Sequence, residues 1–76
     1  MKVYVVDAAW DAEAGVWVAH SDDIPGLTTE AETLEALVKR VTAVTPELLE
    51  LNKAGPSDGA EIHFRAECRA TLANAA

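Results

Sequence analysis

The chain has 76 residues, half of them apolar and a quarter charged, which is the length of one domain and the composition of an ordinary globular protein. Acids outnumber bases 13 to 6, and a formal charge of −7 disfavours a phosphate backbone as partner, favours attraction to a basic one, and also serves simply to keep a domain soluble. The single cysteine, Cys68, excludes an intramolecular disulfide and a Cys-rich zinc site, and no stretch approaches the roughly 20 apolar residues needed to span a bilayer.

The opening run, Met1-Lys2-Val3-Tyr4-Val5-Val6, is cut by Asp7 with no cleavage site after it, so no signal peptide is expected and the protein is expected in the cytoplasm. Residues 2–11 read as a first strand, rich in β-branched and aromatic side chains. Asp11-Ala12-Glu13-Ala14-Gly15 reads as a hairpin loop closed by a left-handed glycine, and Val16–Ser21 as the returning strand. Setting Asp11 opposite Val16 pairs Trp10 with Trp17, Ala8 with Ala19 and Asp7 with His20. One face then carries Tyr4, Val6, Ala8, Trp10, Trp17 and Ala19, and the other Val3, Val5, Ala9, Val16 and Val18. Apolar groups on both faces are unusual for a half-buried hairpin, whose outer face is normally polar.

Ser21–Gly26 reads as a turn around Pro25 and Gly26, followed by a short third strand over Leu27–Glu30. A helix is expected over about residues 33–52, capped by Thr33, with a competing capping box between Thr29 and Glu32. Leu34, Leu37, Val38, Val41, Val44, Leu48 and Leu51 recur at helical spacing and predict the stripe that packs on the sheet. Pro46 interrupts the helix but falls on the solvent side. The spacing predicts one bent helix, with two helices divided at Thr45–Pro46 as the alternative.

Residues 52–59 read as a loop, and Ala60–Ala70 as a last strand with Ile62, Phe64, Ala66 and Cys68 on one side and His63, Arg65, Glu67 and Arg69 on the other. Residues 71–76 read as a frayed tail beyond a single domain of residues 1–70. The predicted class is α+β with element order β-β-β-α-β. A right-handed crossover lays the fourth strand beside the first, giving a four-stranded mixed sheet of order 3-2-1-4 with the helix on one face.

Gly15-Val16-Trp17-Val18-Ala19, the turn Asp22-Asp23-Ile24-Pro25-Gly26 and the helix opening Glu32-Thr33-Leu34-Glu35-Ala36 together resemble the HicB antitoxin family over about residues 3–52. The likeness is strongest to short, stand-alone bacterial HicB-like domains, over Trp10–Ala19 and Pro46–Asn52. It implies a partial ribonuclease-H-like core that self-associates and binds HicA, a small basic mRNA-cleaving toxin. Longer relatives add a DNA-binding module, for which a chain ending at Ala76 leaves no room, so direct DNA binding is not expected.

Catalytic readings are weaker. A two-metal nuclease needs several converging carboxylates, and beside Asp7 the last strand offers His63, Arg65 and only Glu67. Alternation sets Cys68 on the other side of its strand from His63, against a zinc site, and His20 opposite Asp7 reads as a cross-strand pair. The tryptophans read as packing rather than a stacking platform for a ligand. The expectation is therefore a non-enzymatic protein-binding module without cofactor or metal. Val3, Val5, Val16 and Val18 would meet a second copy, and the acidic turn Asp22, Asp23, Ile24 would meet a basic toxin or stand as a solvated loop. The alternative is a stand-alone homo-oligomer or small-ligand module with no toxin.

Overall fold

The computed structural model describes residues 2–73. Its elements are β1 (Val3–Asp11), β2 (Val16–His20), β3 (Thr29–Ala31), α1 (Leu34–Leu51) and β4 (Glu61–Glu67), and the strands form one mixed sheet of order β3-β2-β1-β4. β1 runs antiparallel to β2 and parallel to β4, as the crossover through α1 requires.

The hairpin register is the one anticipated: Asp7↔His20, Ala8↔Ala19, Trp10↔Trp17 and Asp11↔Val16. Asp11 sets it. Its carboxylate accepts from the Glu13 and Ala14 N–H groups at 3.1 and 3.2 Å, and its carbonyl accepts from Gly15, whose φ of 68° turns the chain back. The helix covers the face of Tyr4, Val6, Ala8 and Ala19, so the core forms between these residues, Ile24, Leu27, Ala31 and the helical Leu37, Val41 and Leu49.

Thr33 is the N-cap, its Oγ1 accepting from Ala36 N–H at 3.0 Å, and a single helix runs through Pro46 rather than two. Pro46 is exposed, as its angular position predicts. The Thr42 carbonyl that loses its donor there lies on the solvent side, where the loss costs least.

The buried line of α1 differs from the predicted stripe. It is Leu37, Val41, Thr45 and Leu49, whereas Val44 is 39% exposed and Leu51 72% exposed. These four lie at steps of four residues, a single ridge laid into the sheet. Thr45 can be buried because its hydroxyl donates back to the Val41 carbonyl at 2.6 Å, which leaves no polar atom unpaired.

Two strand limits also shift. β3 begins at Thr29, not Leu27, because Leu27 N–H is committed to the Ile24 carbonyl at 3.2 Å and its side chain is buried as a turn anchor. β4 stops at Glu67, short of Ala70, where its ladder with β1 ends at Ala9↔Glu67, and Cys68, Arg69 and Ala70 beyond it are exposed. Residues 71–73 are exposed without regular structure, and the rest of the expected tail lies outside the described residues.

If the ridge rather than the predicted stripe carries the packing, Leu37→Ala costs about 2–5 kcal/mol and Val44→Ala roughly 0.5 kcal/mol or less. Urea denaturation of the two variants checks this through the midpoint, at unchanged m-value.

Candidate functional site

Alternation puts the odd residues of β1 and β4 and the even residues of β2 on the sheet face that α1 does not cover. The cross-strand ranks on that face read, from one end to the other, Val3–Glu61, Val5–His63, His20–Asp7–Arg65, Glu30–Val18–Ala9–Glu67, and Val16–Asp11. Val3 is 36% exposed and Val5, Val16 and Val18 are half-buried by their neighbours within the sheet.

The four valines predicted as an interface thus share one uncovered face, but they do not form one patch. Val3 and Val5 lie at one end and Val16 and Val18, with Ala9, at the other, and the rank of Asp7 runs between them.

That central rank is an ion pair. Arg65 Nε and Nη2 donate to the two Asp7 carboxylate oxygens at 2.7 and 3.0 Å, a bidentate fork set by the parallel register Asp7↔Arg65. The hydrogen bonds from Arg65 hold the Asp7 carboxyl below its ordinary value, and the carboxylate raises Arg65 in turn. The sequence reading paired Asp7 with His20. The two are indeed register partners, but the Arg65 fork takes both carboxylate oxygens, and His20 Nε2 instead lies 3.4 Å from Asp22.

The turn after β2 fixes the free end of β1. The β1–β2 ladder ends at Asp7↔His20, so Val5 has no strand partner on that side. Side chains replace it. Ser21 Oγ donates to the Val5 carbonyl at 2.5 Å, and the Asp23 carboxylate accepts from Val5 N–H at 2.8 Å. Ser21 Oγ also accepts from Asp23 and Ile24 N–H at 3.1 and 3.3 Å, which holds the turn closed.

Of the three residues predicted to receive a basic partner, Asp22 has the most open side chain, 97% exposed, with His20 Nε2 3.4 Å from its carboxylate. Asp23 latches β1, and Ile24 is wholly buried in the core, so it offers a partner no surface. Ser21 was missed. The available signal was a serine directly after a strand with polar residues behind it, the pattern of a hydroxyl-closed turn. Beside the latch, Val5, Asp7, Asp22, Asp23 and Arg65 border a hollow of about 210 Å³.

The remaining chemical candidates are separate from this face or engaged locally. Trp10 and Trp17 meet edge to face with ring centroids 5.5 Å apart on the helix side, where Trp17 packs against the core. His63 Nε2 lies 3.5 Å from its own strand neighbour Glu61, and Cys68 is exposed. Among the described residues no three His, Cys, Asp or Glu side chains converge as a metal site, and no helix is long and apolar enough to cross a membrane.

The fold and face define a small α+β domain in which, among the described residues, one helix covers one side of a mixed sheet and leaves the other bare. The chain belongs to the family described as a domain of unknown function, DUF1902, whose family model matches residues 3–74. It is similar to a hypothetical protein from the extremely thermophilic bacterium Thermus thermophilus, known from a crystal structure. The two share 45% identity over 93% of this chain and 100% of that one, with a TM-score of 0.82. No curated protein matches the chain.

Because the pair depresses Asp7 in the folded chain, its stabilisation is complete above the unfolded carboxylate value of about 3.9 and is lost as pH falls through the lower folded value. The stability difference between the native chain and Arg65→Ala should therefore be flat around neutral pH and shrink below about pH 4. Thermal melts across that range check it; a difference that persists unchanged into strong acid would mean that Arg65 acts through its aliphatic stem.

Proposed function

We propose that this domain is a non-catalytic protein-binding module of the cytoplasm, the core of a HicB-like antitoxin. It associates with itself through the face of Val3, Val5, Val16 and Val18 and covers the active surface of a small basic mRNA-cleaving toxin of HicA type. The partial ribonuclease-H-like core belongs to the same reading, which rests on the order β-β-β-α-β and on the resemblance of the hairpin, the Pro-Gly turn and the helix opening.

The observation that carries the binding reading is the bare sheet face: two apolar patches on either side of a neutralised ion pair, on the side that α1 leaves uncovered. A core this small gains from hiding such patches, and a second copy supplies the cover. The charge of −7 favours a basic partner and opposes contact with DNA, and the exposed carboxylate of Asp22 beside the hollow at Val5 is a place for a basic side chain. A nuclease reading is disfavoured, since the Asp7 carboxylate that would ligate a cation is spent on Arg65.

Val18→Thr and Val5→Thr keep β-branched shape but place a hydroxyl in the interface. Each is expected to weaken self-association by roughly tenfold or more, because both copies carry the change at about 1–3 kcal/mol per buried hydroxyl. Sedimentation equilibrium measures this, and a native chain that sediments as a monomer refutes the reading. Co-expression with the adjacent gene separates its halves: capture of a small basic protein whose toxicity the domain relieves supports the antitoxin role. Association without any such protein leaves a stand-alone homo-oligomer.

A further inference from the structure

The two edges of the sheet are unlike. β3 has three residues, and Arg40 Nη1 donates to its Glu30 carbonyl at 3.0 Å, so that edge is short and partly occupied. β4 has seven residues and pairs on one side only, with β1, in a register unbroken from Val3↔Glu61 to Ala9↔Glu67. Glu61 N–H bonds to the Lys2 carbonyl at 2.9 Å. Backbone groups alternate in direction along a strand, so Glu61, His63, Arg65 and Glu67 address β1. The N–H and C=O groups of Ile62, Phe64 and Ala66 therefore point outward from the sheet. No proline, lysine or bulge guards this edge, which is an open template for another strand.

We propose that β4 pairs antiparallel with β4 of a second copy, about a two-fold axis at Arg65, joining four strands from each copy into one continuous sheet. A two-fold perpendicular to the sheet keeps each face on its own side, so only residues of equal parity pair, and the charges on β4 choose among the registers that remain. Centred on Phe64, Glu61 meets Glu67 of the second copy twice over, which sets like beside like. Centred on His63, Glu61 draws on an Arg65 already held by Asp7, and Glu67 falls opposite Gly59.

Centred on Arg65, His63 meets Glu67 twice over, and Phe64 lies beside Ala66. Each Arg65 reaches the axis already neutralised by its own Asp7. Two further strand residues then set Cys68 beside Ile62 and Arg69 opposite Glu61. Cys68 and Arg69 are exposed past the end of the ladder with β1, so a new partner strand can take them up. Of these three registers, charge complementarity favours the one centred on Arg65. The interface uses the edge of the sheet and does not depend on the valine face.

Sedimentation equilibrium of the full chain tests the pairing with Arg69→Glu, Glu61→Arg and both together. Each single change sets two symmetry-related like-charge pairs and is expected to raise the dissociation constant of the edge pair about tenfold, and the double change to restore it. Singles without effect, or a double change that fails to restore association, overturn the proposal. Val18→Thr separates it from the valine interface: if that reading is wrong and this one right, Val18→Thr leaves association unchanged while the charge swaps move it. Arg65→Cys in a Cys68→Ala background reads the register directly. At the axis the two introduced thiols form a non-hydrogen-bonded antiparallel pair, with Cα atoms about 4.5 Å apart, and should cross-link on mild oxidation. A chain that stays uncross-linked overturns the register.

Discussion

One helix has to cover a sheet wider than itself. An α-helix with its side chains is about 10–12 Å across, and four strands at about 4.8 Å spacing span roughly 15–19 Å. α1 lies nearest β3 and β2, and its buried ridge shares the core with Tyr4, Val6 and Ala8 of β1. β4 is left at the margin. Its inward Ile62 and Phe64 are half-buried, and Ala66 and Cys68, further along the same side, are exposed. Among the described residues no element covers the opposite face. Both surfaces proposed above for docking, the bare face and the outer edge of β4, lie outside what one helix covers on a four-stranded sheet.

The bare face is nevertheless built rather than left over. β1 outruns β2 at its start, where β4 holds its other side and the Val5 N–H and carbonyl would otherwise lack partners. Ser21 and Asp23 supply the missing donor and acceptor, so the strand end is held by two side chains standing where a longer β2 would have stood. Ser21 is buried, and a hydroxyl there is tolerable because it donates once and accepts twice. Ile24 pins the same turn into the core from below. The acidic character of the turn is thus partly structural: Asp23 acts on the backbone, and Asp22 stands out in solvent beside His20.

Much of this was legible in the residues, and the failures have a common cause. The hairpin register came from one inference, Asp11 opposite Val16, and it fixed which side chains share a face because strand alternation has no slack. The Thr33 cap and the outward Pro46 follow from local geometry in the same way. What local reasoning missed was set by tertiary contact. A stripe of apolar residues is a fair guide to the buried side of a helix, but Thr45 displaced Val44 from it because a back-bonded hydroxyl costs little and the packed ridge runs in steps of four. Leu27 looked like a strand residue and is a turn anchor, since its N–H was already used. Ile24 looked like part of an acidic loop surface and is core. The sequence reading also treated the four valines as one surface. The register it proposed already placed Asp7 between the two pairs, but only the parallel partner strand revealed that Arg65 neutralises it there.

That neutralised pair bears on how the face can dock. Two copies of a chain carrying −7 repel one another, though beyond a Debye length of about 8 Å salt removes most of the effect. At contact range the local charges decide. Burying Asp7 and Arg65 together costs desolvation that their mutual attraction only partly offsets, so the pair weakens any interface laid over it relative to an apolar rank of the same shape. Its contribution is register. If the face docks as proposed, two apolar patches separated by a fixed dipolar band would favour a partner that matches both the spacing of the patches and the polarity of the band over an indiscriminate apolar surface. An exposed sheet face without such a band would be an aggregation hazard. With it, the same valines can serve as a surface that recognises one partner in one orientation.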